Sequence, residues 1–198
     1  YGRLHQEALF TLAEMYIARQ EYEAAQGRLE EIGPGYNHRR NLLLREVHQG
    51  LGDTERVVAL CKESFDHSKS KEDFEALVAA AGEDLRQQIM ESEVAKIEAT
   101  HNFQLTDLRF LIDTQCFENA ERYLLSRADQ VDGDQFRSLY PAAEILLAAG
   151  RLLGATLLFR RLLESILRRG LVKAYDHGID FLFISSLVVI LKADKDEM

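Results

Sequence analysis

Residues 12 to 34, LAEMYIARQEYEAAQGRLEEIGP, carry the pattern that decides the fold. Apolar side chains recur at three- and four-residue intervals, with one interruption near residue 20 and a stop at Gly33-Pro34. This spacing predicts two amphipathic helices joined by a short turn. The small side chain of Ala25 allows the second helix to approach the first closely. The stretch therefore predicts an antiparallel helix hairpin.

The same pattern returns along the whole chain. The residues that open the second helix of each hairpin are 32, 30, 33 and 35 positions apart: Tyr22, Thr54, Asp84, Phe117 and Leu152. Three residues later the side chain is small in four of five cases: Ala25, Val57, Gln87, Ala120 and Ala155. Six residues before each opening stand space-filling side chains: Tyr16, His48, Val78, Leu111 and Leu146. The near-constant period predicts stacked hairpins with one continuous apolar seam.

Composition supports helix throughout. The chain has 198 residues, 46% hydrophobic content, two prolines and no tryptophan, which favours an all-α domain with a substantial core. A net charge of -9 disfavours general nucleic-acid binding. Cys61 and Cys116 lack metal-site or disulfide-framework spacing, so we expect reduced core thiols and a cytoplasmic location. The chain opens at Tyr1 without a signal peptide, which suggests a piece of a longer natural protein.

Leu12-Ala13, Tyr16, Ala25, Leu29 and Pro34 resemble, in order and spacing, the signature of the tetratricopeptide repeat superfamily. The resemblance implies an α-solenoid of about five antiparallel hairpins plus a C-terminal helix, within a single domain over residues 1–198. It also implies a protein-interaction scaffold that binds a peptide or protein segment on its concave face. The expected units and terminal helix are 4–33, 37–67, 71–98, 105–131, 134–169 and 171–192. Separately, residues 117–175 resemble a family of uncharacterised bacterial helical proteins.

Two positions depart from the repeat. Gln87 stands where a small residue belongs, so residues 71–98 are expected either to pack irregularly or to form a longer helix. Pro141 falls within a helical pattern although proline lacks a backbone donor, so we expect it to start the helix or to kink it.

By the resemblance, the first helix of each unit lines the concave face. The residues expected there from the first two units are Glu7, Phe10, Glu14, Ile17, Arg39, Leu42, Glu46 and Gln49. Tetratricopeptide domains that grip a peptide C-terminal carboxylate need Lys and Asn at groove positions which are here Phe10, Glu14, Leu42 and Glu46. A Glu-rich groove favours a basic or amphipathic segment instead. The alternative is that these charges are solvated helix sides.

A second candidate site is a basic cluster near the C-terminus, formed by Arg160, Arg161, Arg168, Arg169 and Lys173. One interpretation is a regulatory helical domain that contacts nucleic acid or another anion through residues 160–173. The other is complementarity to a helix C-terminus, together with pairing to Glu164.

Motifs for catalysis and metal binding are missing from the sequence. The histidines are scattered, and neither HExxH nor zinc-finger spacing occurs. Phosphate-binding glycine loops and the GxSxG nucleophile motif are also absent. We therefore expect no enzyme activity, no cofactor and no metal.

The segment from Ile179 to Leu191 is mostly apolar but too short to span a bilayer. Because a terminal solenoid helix normally turns a polar side to water, this segment is expected to be covered. The cover is either a second copy of the chain, giving a homodimer, or polypeptide beyond these residues. Self-coverage within the array is the alternative.

Overall fold

The computed structural model describes residues 2–33 and 37–168, and every regular element within them is helical. The all-α prediction is confirmed. Pro34, Arg169, Lys173, the predicted terminal helix 171–192 and the apolar segment 179–191 lie outside the described residues. The helices are α1 (Gly2–Ala18), α2 (Tyr22–Glu30), α3 (Asn37–Leu51), α4 (Thr54–Ser68), α5 (Lys71–Ala81), α6 (Arg86–Ala99), α7 (Leu105–Asp113), α8 (Phe117–Ser126), α9 (Phe136–Ala148) and α10 (Leu152–Arg168).

The chain forms two compact units, the first ending at Ile89 and the second beginning at Met90, within α6. In the first unit each of the five helices packs on the next, and α1 also packs on α3. Its core includes Phe10, Ala25, Leu29 and Val47, all fully buried. The single-domain assignment stays a prediction.

In the second unit α7 packs on α8 and on α9, while α10 packs on both α8 and α9. Leu108, Leu124, Leu139 and Leu158 are fully buried. Gly133, in the loop before α9, lies directly against the main chain of α10 at Arg161. The loop can approach α10 this closely because glycine carries no Cβ.

The repeat positions found in the sequence are packing positions in the structure. Ala25, Val57, Ala120 and Ala155 are all buried, whereas Gln87 is exposed. Small side chains at these places allow helix axes to approach closely. The sequence period therefore identifies a buried position in four of the five hairpins.

The turns inside the hairpins share a backbone conformation even where their residues differ. A residue with a positive φ lies in the turn of each hairpin: Gln20 (60°), Gly52 (73°), Gly82 (111°), Gln115 (62°) and Gly150 (74°). In four hairpins this residue lies two positions before the second helix, whereas Gly82 lies four positions before α6. Four of the five turns have the paired hydrogen bonds of the Schellman motif. In the first, the Glu21 amide donates to the Tyr16 carbonyl at 2.9 Å and the Gln20 amide to the Ile17 carbonyl at 2.9 Å. The first helix of these hairpins therefore ends in one common way.

The third hairpin is the irregular one, in agreement with its weak sequence match. After Gly82 the chain makes a short 3₁₀ turn over Glu83–Leu85, and α6 follows. At Gly82 the amide donates to the Val78 carbonyl, in place of the paired bonds seen in the other turns. Residues 71–98 thus form two helices with a turn between them, so the alternative of one longer helix is wrong, and irregular packing of this unit stays a prediction.

Pro141 lies inside α9, which begins five residues earlier at Phe136. Of the two alternatives, that Pro141 starts the helix is therefore wrong, and that it kinks the helix stays a prediction. Proline is tolerated without loss in the first turn of a helix, because the first four amide groups have no intrahelical acceptor. Pro141 lies beyond that turn. Proline at the sixth position removes a backbone donor that would otherwise reach the Arg137 carbonyl.

Replacing Pro141 with alanine is therefore expected to raise the free energy of unfolding by roughly 1 to 3 kcal/mol. The side chain is exposed, so little packing is lost. Urea titration followed by far-UV circular dichroism measures the change. A lower midpoint for the alanine variant would contradict it.

Both cysteines are free thiols, as expected; Cys61 is buried and Cys116 is half-buried. None of the helices described is both long and apolar enough to cross a membrane.

Candidate interaction surface

The first helices of the first two hairpins meet along a charged strip. Arg39 of α3 donates from Nη1 to Glu7 Oε2 at 2.9 Å and from Nη2 to Glu14 Oε1 at 2.7 Å. Glu7 and Glu14 are seven residues apart and therefore share one face of α1. Hydrogen bonding to Glu14, and then to Glu7, raises the pKa of the Arg39 guanidinium above its ordinary value. All three side chains remain more than 40% exposed, so solvent screens the pairing.

The aromatic ring between the two glutamates faces inward. Phe10 is fully buried, and the Arg39 guanidinium lies over its ring at 4.3 Å from the centroid. Ile17 is 9% exposed and belongs to the same core. The assignment of Phe10 and Ile17 as groove residues is therefore corrected. Both point into the helix–helix contact because the apolar stripe of α1 includes them.

The remaining expected groove residues line the open side of α3. Leu42, Glu46 and Gln49 are exposed, and their spacing of four and three residues places them on one helix face. Leu42 is 43% exposed, which is high for a leucine. Among the residues described, Glu46 forms no ion pair, in contrast to Glu7 and Glu14. The structure thus brings together an exposed apolar side chain and a carboxylate on α3.

A cavity of about 210 Å³, which the sequence did not predict, lies among α2, α3 and α4. Its lining consists of Gln26, Leu29, Glu30, Arg40, Leu44, His48 and Arg56. Arg40, Leu44 and His48 are spaced by four residues and form a stripe along α3. That spacing was visible in the sequence, but the contribution of Arg56 from the next helix was not.

His48 is 7% exposed, and its Nδ1 lies 3.2 Å from Asp53 Oδ2. The contact is not aligned for a hydrogen bond, and this nitrogen has no hydrogen-bond partner in the structure. The Arg40 Nε is likewise buried without a partner. Two polar atoms of residues that line one cavity are thus unsatisfied.

The described part of the basic cluster is paired with acidic groups. Arg160 Nε donates to Glu164 Oε1 at 2.8 Å, and Arg161 Nη1 donates to Glu164 Oε2 at 3.0 Å. These hydrogen bonds, the one from Arg160 first, lower the pKa of Glu164. Arg161 also reaches Asp129 at 3.1 Å, and Arg168 lies 3.5 Å from Asp134. The pairing with Glu164 expected from the spacing is present, and little unbalanced positive charge remains over residues 160–168.

A buried arginine ties the loop after α6 to α8. Arg127 is 8% exposed; its Nη2 donates to the Glu98 carbonyl at 2.9 Å and its Nε to the Thr100 carbonyl at 3.1 Å. The guanidinium lies 4.3 Å from the centroid of the Tyr123 ring. Burial raises the pKa of the Tyr123 hydroxyl, which accepts the Gln104 amide at 2.7 Å. These groups are structural, because their polar atoms are directed at the main chain.

No group of three or more His, Cys, Asp or Glu side chains suited to a metal ion occurs in residues 2–33 and 37–168.

The first unit offers two candidate places for a partner. They are the open side of α3, and the cavity among α2, α3 and α4.

No curated protein and no solved structure matches the sequence significantly. A family model described as a family of unknown function, DUF6880, matches residues 18–183. This match takes in the whole of residues 117–175, the region for which the sequence indicated a family without known activity. It is not a match to tetratricopeptide repeats, so that resemblance stays a prediction. Because the match covers most of the chain, the protein belongs to the DUF6880 family.

Proposed function

We propose that this protein is an interaction scaffold, built as a tetratricopeptide-like solenoid, that binds a basic amphipathic segment on the open side of α3. The observation that carries the proposal is the exposed apolar and acidic face formed by Leu42, Glu46 and Gln49. A segment with apolar residues at helical spacing and lysine or arginine between them would contact both kinds of group.

The helix packing of the first unit supports a scaffold role. Successive helices pack in chain order, and α1 packs on α3, so first helices of neighbouring hairpins lie side by side. Such a row of helices presents side chains from several turns to one extended partner. The face is also mostly solvent-accessible, as a binding surface must be.

The ion pairs between α1 and α3 indicate which carboxylate a basic partner would contact. Glu7 and Glu14 are largely neutralised by Arg39, so they attract a cation less strongly than Glu46 does. The acidic overall charge of -9 adds a favourable long-range field for a basic partner. We therefore place the main electrostatic contact at Glu46.

The alternative of nucleic acid or another anion at residues 160–173 has weaker support. Its described arginines already have acidic partners in Glu164, Asp129 and Asp134. Phosphate would have to displace these carboxylates. Catalysis is not part of our proposal, because no constellation on the described surface suggests a reaction.

A charge reversal at Glu46 tests the proposed contact. We expect Glu46→Lys to weaken binding of a synthetic amphipathic Leu/Lys helical peptide by roughly tenfold, through loss of attraction and gain of repulsion. Fluorescence anisotropy with labelled peptide measures the dissociation constant, and an acidic Leu/Glu peptide of equal length should bind the unmodified protein poorly.

The matched control is Glu63→Lys, the same charge change at an exposed position of α4. It should leave peptide affinity within about twofold, because Glu63 lies on another helix, outside the proposed contact, and salt screens the effect of an exposed charge. Equal losses in both variants would mean that net charge, and not the α3 face, governs binding. Absence of binding by the unmodified protein would remove the proposed function.

A further inference from the structure

The cavity among α2, α3 and α4 carries an inference separate from the α3 interaction face. The geometry points to a binding site for a phosphate group, held by Arg40 and Arg56 with His48 in the wall. Inorganic phosphate and a small phosphate monoester share this chemistry.

Arg40 is fixed in the wall of the cavity by a main-chain contact. Its Nη1 donates to the Ile32 carbonyl at 3.2 Å, which holds the guanidinium in place. Its Nε is buried and has no partner, so the hydrogen-bonding capacity of the guanidinium is not fully used. The planar guanidinium suits two parallel hydrogen bonds to one oxyanion, and Arg40 lines the cavity in which such an anion would lie.

Neither guanidinium group is neutralised by a carboxylate of the described chain. Within the described residues, Arg40 and Arg56 form no ion pair, whereas nine other arginines do so: Arg28, Arg39, Arg86, Arg109, Arg122, Arg151, Arg160, Arg161 and Arg168. What distinguishes Arg40 and Arg56 from the remaining unpaired arginines is that both line one cavity.

The residues that line the cavity and its volume determine the charge and the size of a ligand that fits it. Glu30 is its single carboxylate, and it already accepts Gln26 Nε2 at 2.8 Å. Two guanidinium groups against one carboxylate leave a net positive charge, which favours an anion. The volume of about 210 Å³ lies below that of most drug-sized pockets, which measure about 300–1,000 Å³. A phosphate group fits this space, whereas a nucleic-acid strand does not.

A tetrahedral anion is favoured over a planar carboxylate by the arrangement of donors. Arg40 and His48 project from α3, while Arg56 projects from the first turn of α4. Donors that come from two helices can contact different oxygens of one phosphate. One guanidinium alone would satisfy a carboxylate.

Isothermal titration calorimetry of the full chain at constant ionic strength tests the site. Inorganic phosphate, glycerol 3-phosphate and acetate are titrated separately. We expect one phosphate per chain, and we expect acetate to bind much more weakly. Tighter binding of glycerol 3-phosphate would assign the site to a monoester, and tighter binding of inorganic phosphate to the free ion; both results support a phosphate site. Equal affinity for acetate, or no heat with either phosphate compound, would overturn it.

Variants locate the binding. Arg40→Gln and Arg56→Gln should each weaken phosphate binding by at least roughly tenfold, whereas Glu30→Gln should strengthen it about threefold. Arg137→Gln is the matched control, since Arg137 is exposed, lies outside the cavity and has no ion pair among the described residues. If Arg40→Gln does not fold, the exposed Arg56 still provides the test. An equal loss in Arg137→Gln would overturn the assignment to this cavity.

Discussion

Replacing Gly133 with alanine is expected to lower the free energy of unfolding by about 3 kcal/mol, at the upper end for an overpacked site. The added Cβ would fall well inside van der Waals contact with the Arg161 carbonyl, and 3.0 Å from the Ser165 Cβ. The carbonyl belongs to the main chain of α10, so it cannot rotate away as a long side chain could. Relief requires the loop before α9 to move away from α10. Urea unfolding followed by circular dichroism measures the loss.

Gly27→Ala provides the control for this substitution. Gly27 is an exposed residue of α2, and its added Cβ would meet nothing within 4 Å. Gly27→Ala should raise the free energy of unfolding by roughly 0.5 to 1 kcal/mol, because alanine leaves the unfolded chain fewer backbone conformations than glycine does. A Gly133→Ala variant as stable as the unmodified protein would show that the loop and α10 do not pack as described.

The second large effect is expected at Arg127. Arg127→Met should lower the free energy of unfolding by roughly 3 kcal/mol, because it removes a buried guanidinium and leaves partly buried carbonyls near the end of α6 without their donor. Methionine retains much of the apolar stem, so the change reports mainly on the guanidinium. Those carbonyls also carry the negative end of the helix dipole, which favours a cation there. Chemical denaturation of the variant, monitored by circular dichroism, tests the magnitude.

Arg109→Met is the matched control, since the Arg109 side chain is 81% exposed and its ion pair with Asp113 is long at 3.5 Å. Arg109→Met should lower the free energy of unfolding by less than about 1 kcal/mol. Arg127→Lys should lower the free energy of unfolding by an amount between those for Arg109→Met and Arg127→Met. One ammonium keeps the charge but cannot reproduce the planar set of donors that reaches the Glu98 and Thr100 carbonyls. Similar losses for Arg109→Met and Arg127→Met would contradict a special role for the buried group.

Local features of the fold could be predicted from the sequence. Tyr22, Thr54, Phe117 and Leu152 were expected to open helices, and each is the first residue of a helix in the structure. Such boundaries depend on a few neighbouring residues, namely the turn before the helix and the apolar period after it. The small buried residues followed from the same period.

Contacts between hairpins could not be predicted in the same way. Phe10 was expected on an open face, but its ring is buried beneath Arg39. The sequence period gives the direction of a side chain around its own helix, and it does not show which neighbour covers that direction. For the same reason the ion pairs of Arg39 with Glu7 and Glu14, 32 and 25 residues away, were not foreseen. The cavity residues Arg40 and Arg56 come from different helices, so no single-helix pattern relates them.

The turns at Gln20 and Gln115 show that hairpin shape does not depend on glycine. Both residues adopt the positive φ that Gly52 and Gly150 adopt at equivalent places, and all four turns keep the same main-chain bonds. The connection between the two helices is therefore specified by main-chain amides and carbonyls. A glutamine that can adopt the positive φ closes the hairpin as a glycine does, so the path of the backbone there is compatible with more than one residue type.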